Sequence, residues 1–262
     1  NIVITHGHFD HFGMLGYERL KKKKVYVHEL DSRQIKNYAE EFKKMREQMS
    51  WLLKRSGKDK SKLLELALGT MPRREFSFNS ADYELIEVRD GDKIINQYEV
   101  YHTPGHSLGS IILRVCDFIF LGDHILSVTT PHQSPKSNRG AGLEAYLNSL
   151  RKTAKLAKEQ DLGLPAHEDD IYSIKAKAEE IENFHEQRLA ELIEICKTEK
   201  SLAQVTDEYY TKHPEFLEVS NLPADLNEIL ALDEIAAHLE YLSENNRIMT
   251  NDEEMIIKYK AI

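Results

Sequence analysis

The stretch 1-NIVITHGHFDHFG-13 decides the fold of this chain, because it joins a strand to a dense cluster of metal-binding side chains. Four consecutive β-branched residues open it, which predicts a strand. His6 and His8 then point to the same side of an extended segment, since side-chain direction repeats every second residue. A turn into a helix brings Asp10 and His11 around a second point. The stretch therefore predicts two adjacent metal positions, because imidazole and carboxylate are ligands of zinc, iron and manganese.

Three further segments end an apolar run or a tight turn with a candidate ligand. His106 follows a Pro-Gly turn in HTPGHSLGS, Asp123 closes FIFLGD, and His167 closes LGLPAH. A buried carboxylate is costly unless a cation compensates it. A single histidine at a strand end is more often structural, but four adjacent His and Asp side chains repel one another when protonated and lose solvation when buried. A metal role is therefore the better interpretation for the whole set: His6, His8, Asp10, His11, His106, Asp123 and His167.

The composition limits the partners of this chain. Its net charge is −9, which argues against binding of nucleic acid through the overall field. Cys116, in an apolar strand-like run, and Cys196, in a helix-like run, give no disulfide framework and fit a reducing compartment. The sequence has no unbroken apolar run of membrane-spanning length. We therefore expect a soluble, cytoplasmic protein with a small-molecule substrate and no membrane partner.

Strand-like and helix-like patterns divide the chain into regions. Residues 1–28 and 82–167 alternate short β-rich runs with the helical stretch GLEAYLNSLRKTAKLAKEQ, which predicts a layered α+β domain. Between them, residues 29–76 carry Leu, Met and Trp at helical spacing, which predicts a helical insertion. Because the first strand has no upstream strand to pack against, we expect the natural protein to begin before it.

The last third of the chain predicts a second domain. After residue 170 the pattern is helical, and it ends in a helix, a turn at Glu244 to Asn246 and two short strands with a charged hairpin between them. This layout is typical of a winged helix. We predict a catalytic domain over residues 1–185 and a winged-helix-like domain over residues 186–262.

The segments THGHFDH, HTPGHSLGS, FLGDHIL and LPAHED resemble, in order and spacing, the metal motifs of the metallo-β-lactamase superfamily. The resemblance covers residues 1 to 185 without the insertion, and it implies an αβ/βα sandwich with the active site at one edge. It also implies an N-terminal half-sheet that relatives have and this chain lacks. The resemblance assigns the ligands as follows: His6, His8 and His106 to one metal, Asp10, His11 and His167 to the other, and Asp123 to both as a bridge.

Membership of this superfamily implies hydrolysis with two divalent metal ions, zinc first and iron or manganese as alternatives. Two such ions lower the pKa of a bridging water, and the resulting hydroxide is the expected nucleophile. Asp10 would bind one metal and orient that hydroxide, which gives it a catalytic role. True β-lactamases commonly have a cysteine where this chain has Asp123, so the carboxylate resembles the glyoxalase II, lactonase and RNA-processing branches. A thioester, ester or lactone is therefore the leading substrate class.

Two charged segments bear on the alternatives. The tail resembles the C-terminal domain of LACTB-like hydrolases, but residues 187–262 hold 7 Lys and Arg against 16 Asp and Glu, so it predicts packing or homodimer formation rather than DNA binding. Residues 41–75 hold 10 Lys and Arg against 5 Asp and Glu. They predict either an amphipathic helix pair that solvates its charges, or a cap whose basic residues meet an anionic coenzyme A or glutathione group.

Two other functions stay open at this point. A phosphodiesterase or endoribonuclease of the same superfamily would need a basic track to the metals. A non-catalytic metal-binding interaction module is disfavoured by the intact ligand set. Tyr101 and Tyr146 are the candidates for the tyrosine that lactonases place near the bridging metal, and His124 and His132 are candidates for supporting hydrogen bonds to the ligands.

Overall fold

The computed structural model of the chain describes residues 1–58, 80–216, 224–252 and 255–262. The chain forms two compact units. The first unit comprises residues 1–42, 74–131 and 144–182, and the second comprises residues 43–73, 132–143 and 183–262. The expected domain limits at residues 185 and 186 stay a prediction. Among the described residues, no helix combines the length and the apolar character that crossing a bilayer requires.

The first unit contains two β-sheets. The first sheet is parallel in the order β1-β2-β3, and the second has the order β4-β5-β6-β7-β8 with antiparallel pairs except for the parallel pair of β7 and β8. The strands are β1 (Ile2–Val3), β2 (Lys24–His28), β3 (Glu84–Val88), β4 (Lys93–Ile94), β5 (Tyr98–His102), β6 (Ile111–Val115), β7 (Phe118–Gly122) and β8 (Leu162–Pro165).

Five helices belong wholly or partly to this unit. They are α1 (Phe9–Phe12), α2 (Glu29–Lys36), α3 (Tyr38–Arg55), α4 (Leu143–Leu156) and α5 (Ile174–Ile195). Helices α3 and α5 begin in the first unit and continue into the second. Short 3₁₀ turns lie at Gly13–Gly16, Glu18–Leu20, Ser80–Asp82, Lys136–Asn138 and Pro214–Phe216.

Strand β2 shows why the first unit is layered. Its alternate residues Val25 and Val27 pack with Phe12 and Ile35 on one face of the sheet. Tyr26 points the other way and packs in a second core with residues of β3 to β6. Because successive side chains of a strand face opposite sides, one short strand contributes to both cores. The two sheets therefore lie face to face with helices outside the first sheet, as a mixed α and β sandwich.

Helix α4 is tied to the second sheet by polar contacts at its C-terminus. Arg114 of β6 donates to the carbonyl oxygen of Leu156, at 2.9 Å, which satisfies an orphan carbonyl of the last helical turn. The same guanidinium makes two 2.8 Å hydrogen bonds to the carboxylate of Asp161. Both Arg114 and Asp161 are buried, so each compensates the charge of the other.

The second unit contains the remaining described elements. They are β9 (Lys200–Ser201), α6 (Leu202–Lys212), α7 (Ala224–Glu244), β10 (Ile248–Asn251) and β11 (Lys258–Ala261). The strands form an antiparallel sheet in the order β10-β11-β9. Ser201 and Gln204 form a capping box at the start of α6. The helices and the last two strands follow the expected order, β9 was not expected, and the winged-helix assignment itself stays a prediction.

Most expected elements agree with the structure, and one expectation is wrong. Cys116 lies in the turn between β6 and β7 with φ at +51°, not inside a strand. A two-residue hairpin turn requires positive φ, and the apolar character of the flanking strands hid that turn in the sequence. The helical insertion is seen as α2 and α3. Its remainder, including Leu63, Leu64, Leu66, Arg73 and Arg74, and part of the charged hairpin, Glu253 and Glu254, lie outside the described residues.

Candidate metal centre

The first four candidate ligands lie where β1 runs into α1. The backbone N–H of Ile111 in β6 donates to the carbonyl oxygen of Thr5, at 2.9 Å, which fixes the end of the extended segment. His8 is the N-cap residue of α1, and Asp10 occupies its first turn. Phe12 is fully buried and anchors the end of this helix in the core. The expected change from extended chain to helix is confirmed, and it brings the ring of His11 to 3.9 Å from that of His6, centroid to centroid.

Three histidines converge on one point of the site. The Nε2 atom of His6 lies 3.1 Å from Nδ1 of His8. The ring of His106 lies with its centroid 4.9 Å from that of His6 and 4.5 Å from that of His8. All three can offer a nitrogen to a single ion. This group is the one that the resemblance assigns to the first metal, and we call it the three-histidine group.

A second group faces the solvent. The carboxylate Oδ2 of Asp10 lies 3.4 Å from Nε2 of His11 and 3.5 Å from Nε2 of His167. The side chains of Asp10 and His167 are 45% and 51% exposed, whereas that of His6 is 1% exposed. This group coincides with the ligands that the resemblance assigns to the second metal, and we call it the outer group.

Asp123 lies between the two groups. Its Oδ2 atom is 3.4 Å from Nε2 of His11, 3.5 Å from His106, 3.7 Å from His167 and 3.9 Å from His6. A single carboxylate oxygen is thus near four imidazoles, a position that suits a bridge between two cations. The structure brings together all seven residues named from the sequence, and their roles as ligands stay a prediction.

The charges of the site explain why cations suit it. Burial and the neighbouring rings of His8 and His106 lower the pKa of His6 well below its usual value, so it stays neutral. Burial also disfavours protonation of His11, but hydrogen bonds to Asp10 and Asp123 outweigh it and raise its pKa to about 9. The hydrogen bond to His11 lowers the pKa of Asp10 to about 2. Asp10 is therefore ionised at neutral pH and attracts positive charge.

An unsatisfied buried oxygen fits a divalent metal ion. Within the described part of the chain, Oδ1 of Asp123 is buried and accepts no hydrogen bond. Buried polar groups normally have partners, so this atom needs an explanation. The donor set of imidazole nitrogens and carboxylate oxygens is the one that zinc, iron and manganese prefer. The residues therefore fit a divalent metal centre.

Asp31 joins two of the ligand segments, and the sequence interpretation missed it. Its buried carboxylate accepts hydrogen bonds from the backbone N–H groups of Gly7 and Gly109 and from the hydroxyl of Ser107. Burial raises the pKa of Asp31, while these three hydrogen bonds act in the opposite direction. In the sequence, Asp31 is only an acidic residue near the start of a helix, and such residues are too common to predict a role in the site.

Glu168 joins the other two ligand segments. It follows His167 directly, and its carboxylate accepts hydrogen bonds from Ser127, Val128 and Thr129, which lie just beyond Asp123 in the chain. These bonds outweigh burial and lower the pKa of Glu168. Its φ of +69° is left-handed, a conformation that costs a residue with a side chain about 1–2 kcal/mol. The hydrogen bonds hold it there.

The supporting candidates from the sequence have other partners. The hydroxyl of Tyr101 donates to Glu99, and that of Tyr146 donates to the carbonyl oxygen of His124. His124 hydrogen-bonds the hydroxyl of Thr153 through its ring, and burial, with a smaller effect of His106, lowers its pKa to about 3. His132 belongs to the second unit, where it pairs with Asp233 at 3.1 Å.

A different tyrosine interacts with the site. Tyr38, the first residue of α3, packs edge-on against Phe12 at 5.3 Å between ring centroids. Burial and the negative charge of Asp10 both raise its pKa, so its hydroxyl feels the field of the outer group. No motif marks Tyr38 in the sequence, because only the packing of α3 against α1 brings it there.

The comparisons with known proteins agree with this site. The family model for the Metallo-beta-lactamase superfamily matches residues 1–160. A metallo-beta-lactamase family protein from Thermus thermophilus has a similar fold, with a TM-score of 0.70 and 21% identity over 100% of this chain and 79% of its own. A beta-lactamase domain protein from Burkholderia ambifaria gives a TM-score of 0.72 and 18% identity over 99% of this chain and 73% of its own. No curated protein matches the sequence. This chain therefore belongs to the metallo-beta-lactamase superfamily, whose members are mostly metal-dependent hydrolases.

Proposed function

We propose that this protein hydrolyses a thioester, ester or lactone that carries an apolar acyl group, with two divalent metal ions held by the seven candidate ligands. Zinc is the first choice, with iron or manganese as alternatives. The observation that carries the proposal is the composition of the four segments that bear the ligands. We call these the ligand loops and define them as residues 5–16, 103–110, 123–130 and 166–172.

Each ligand loop presents a large apolar side chain to solvent. Phe9, Leu108, Val128 and Tyr172 are exposed by 43%, 43%, 73% and 80%, one in each loop. Exposed apolar residues are common singly, but their presence on every loop around one site is typical of a binding surface. A substrate with a hydrocarbon acyl group would bury these side chains and release ordered water, so they favour such a group.

The same loops argue against a phosphodiester substrate. They contain no Lys or Arg, and the last of them adds Glu168, Asp169 and Asp170 to the carboxylates of the site. Binding of a nucleic acid depends on cationic side chains that contact phosphates. Acidic loops without basic residues would repel a polyanion, and this repulsion disfavours the endoribonuclease alternative.

The side chains have distinct roles in the proposed reaction. Two divalent ions, when bound, would lower the pKa of a water and polarise the carbonyl oxygen of the substrate. In the three-histidine group, His6 is almost fully buried and its lowered pKa keeps it neutral, which suits a metal ligand. Asp10 is ionised and half exposed, so its carboxylate can accept a hydrogen bond from the attacking water and orient it. Loss of the Asp10 carboxylate should therefore reduce the rate as well as the metal content.

The first test combines metal content with a substrate panel. Elemental analysis should give about two equivalents of metal, and the panel should contain short-chain and long-chain acyl-CoA, S-lactoylglutathione, a homoserine lactone and bis-p-nitrophenyl phosphate. Turnover of thioesters, esters or lactones that disappears in His8→Ala supports the proposal. Turnover of the phosphodiester alone would move the assignment to a phosphodiesterase. Metal binding without turnover of any substrate would favour the non-catalytic module.

A second test addresses the apolar residues of the loops. Phe9→Ala and Leu108→Ala should raise KM for long-chain acyl substrates by about 3- to 10-fold, which corresponds to the loss of roughly 1 kcal/mol of apolar burial. The short-chain substrate should show little change. Met249→Ala is a matched control, because this exposed side chain lies in β10 of the second unit. Equal effects on both substrates would contradict recognition of the acyl chain.

An anionic group on the substrate is a further part of the proposal, to be met by basic residues of the segment 41–75. Two of these residues already have partners inside the second unit. Lys58 forms ion pairs with Asp207 and Glu228, and Arg55 stacks on Trp51 at 5.0 Å. These contacts favour a packing role for both. Neutralising Lys43, Arg46 and Lys54 together should raise KM for acyl-CoA and not for an uncharged ester, and an unchanged KM would remove the basic cap from the proposal.

The second unit is proposed to pack or to form a homodimer. Its strongly acidic tail disfavours nucleic acid, as the charge count of residues 187–262 indicates. Sedimentation of the whole protein over a range of concentrations tests this point. A dimer that dissociates on dilution supports association, and a monomer at every concentration would leave packing as the role of this unit.

A further inference from the structure

One buried carboxylate outside the candidate ligand set contacts two segments that carry ligands. Asp31 is the third residue of α2, and its side chain is almost fully buried. Oδ2 accepts from the N–H of Gly7 at 2.7 Å and from the hydroxyl of Ser107 at 2.7 Å, and Oδ1 accepts from the N–H of Gly109 at 2.8 Å. Gly7 lies between His6 and His8, while Ser107 follows His106. Each histidine of the three-histidine group is therefore adjacent in sequence to a residue that donates a hydrogen bond to Asp31.

The position of Asp31 is itself fixed by neighbouring elements. Strand β2 ends at His28, whose ring accepts a hydrogen bond from the N–H of Leu30 and caps α2. That ring stacks on His102, the last residue of β5, with 4.0 Å between centroids and 12° between planes. The start of α2 is thus held between the two sheets, and the Asp31 carboxylate has little freedom to move.

The two glycines show that this close approach is built into the chain. A Cβ atom at Gly109 would lie 2.6 Å from Cγ and Oδ1 of Asp31, and one at Gly7 would lie 3.2 Å from its Cβ. Any side chain at position 109 would push the carboxylate away from the N–H groups that it binds. Glycine therefore lets the backbone of both loops come within hydrogen-bonding distance of one side chain.

We propose that Asp31 is a positioning residue of the metal centre, which sets the spacing between the His6–His8 segment and the His106 turn. It does so before any ion binds, because its hydrogen bonds are made to the loops and not to the ligand rings. Preorganisation of this kind lowers the cost of ordering ligands on binding. The inference rests on the proposed function only for the identity of the ion that the three histidines hold.

The test compares Asp31→Asn with a matched control, Asp161→Asn. Asp161 is equally buried and accepts hydrogen bonds from Arg114 and from the N–H of Lys158, but it contacts no ligand loop. In Asp31→Asn the amide NH₂ faces an N–H or hydroxyl donor, so at least one hydrogen bond is lost. Both variants should lose stability towards urea. Only Asp31→Asn should also lose metal affinity.

Two measurements distinguish positioning from general stability. Competition with a chelator should show Zn²⁺ affinity in Asp31→Asn reduced by about 10- to 100-fold, with the affinity of Asp161→Asn unchanged. In the metal-free protein, hydrogen exchange at the N–H groups of Gly7 and Gly109 should be accelerated by Asp31→Asn more than exchange in β6. Equal losses of affinity in the two variants, or unchanged exchange at both glycines, would overturn the proposal.

If Asp31→Asn does not fold, Ser107→Ala tests the same proposal with a smaller change. Ser107→Ala removes one donor and leaves the carboxylate with both glycines, so it should reduce Zn²⁺ affinity by a smaller factor and in the same direction. Unchanged affinity in Ser107→Ala would also count against the proposal. If the wild-type protein binds no Zn²⁺, the proposed function fails, while hydrogen exchange in the metal-free protein still decides whether Asp31 holds the two loops.

Discussion

The Oδ2 atom of Asp123 lies 3.4 Å from Nε2 of His11, although one residue follows the end of β7 and the other lies in α1. The same oxygen approaches His106 at 3.5 Å, a residue of the other candidate group. This carboxylate thus contacts both candidate metal positions. Because a buried carboxylate requires compensation by a cation, Asp123 and the metals should depend on each other.

Replacing Asp123, the proposed bridging carboxylate, should weaken metal binding at both positions. We expect Asp123→Ala to reduce metal content from about two equivalents to less than one and to reduce kcat/KM by at least about 100-fold, which corresponds to about 2.7 kcal/mol. Elemental analysis and steady-state kinetics measure the two effects. Asp82→Ala is the control, because this carboxylate pairs with Lys21 at the surface. Full metal content in Asp123→Ala would argue against a bridging role.

The two groups should release metal at different rates. Asp10 and His167 are half exposed, while His6 is almost completely buried, so a chelator reaches the outer group more easily. Removal of metal by a chelator should therefore follow two phases of about one equivalent each, recorded by elemental analysis at successive times. His167→Ala should lack the fast phase. A single phase in the wild-type protein would contradict this difference.

The turn before His106 should tolerate no side chain at Gly105. A Cβ there would lie 2.5 Å from Cδ2 and 2.8 Å from the backbone Cα of Tyr146, and the backbone cannot move aside as a side chain can. We expect Gly105→Ala to lower the free energy of unfolding by about 1–3 kcal/mol, as overpacking does, and to weaken metal binding. Gly16→Ala is the control, because a Cβ at that position meets nothing within 4 Å. Urea unfolding of the two variants decides the point.

Glu168 allows strain and hydrogen bonding to be separated. Glu168→Gly loses the hydrogen bonds to Val128 and Thr129 but relieves the left-handed backbone, whereas Glu168→Ala loses the hydrogen bonds and keeps the strain. The alanine variant should therefore be less stable than the glycine variant by about 1 kcal/mol in urea unfolding. If the two variants unfold at the same urea concentration, the positive φ carries no strain.

Stability of the second unit should fall at acidic pH. His238 donates through Nδ1 to the carbonyl oxygen of Glu234, so its Nε2 accepts from Nδ1 of His185 and both rings are neutral. Burial and the positive charge of Arg188 lower the pKa of His185 to about 3. In the unfolded chain this pKa returns to 6.5, so unfolding takes up a proton between about pH 6.5 and pH 3.

Acidic pH therefore lowers the free energy of unfolding. The contribution of neutral His185 is complete above pH 6.5 and is lost as the pH falls towards 3, with a loss of about 2 kcal/mol at pH 5. Urea unfolding at pH 7.5 and pH 5 measures it. His185→Gln should reduce the difference between the two pH values, and an equal difference in both proteins would place the acid sensitivity elsewhere.

The sequence by itself determined the fold class and predicted the residues of the candidate site. The cluster of His6, His8, Asp10 and His11 was readable because its members are close in sequence and their spacing follows the geometry of a strand and a helical turn. The other three candidates could be predicted because each ends an apolar run or a tight turn, where burial of a polar side chain is costly unless a partner compensates it: His106, Asp123 and His167.

Only the tertiary structure decided what holds those ligands in place. Asp31 and Glu168 carry no motif, since an acidic residue is ordinary at a surface and becomes informative only when its hydrogen-bond partners are known. Tyr38 likewise gains its relation to Asp10 from the packing of two helices. Local residue types and their spacing are enough to predict candidate metal ligands. The hydrogen bonds that hold those residues in place come from contacts between distant parts of the chain, which sequence periodicity does not predict.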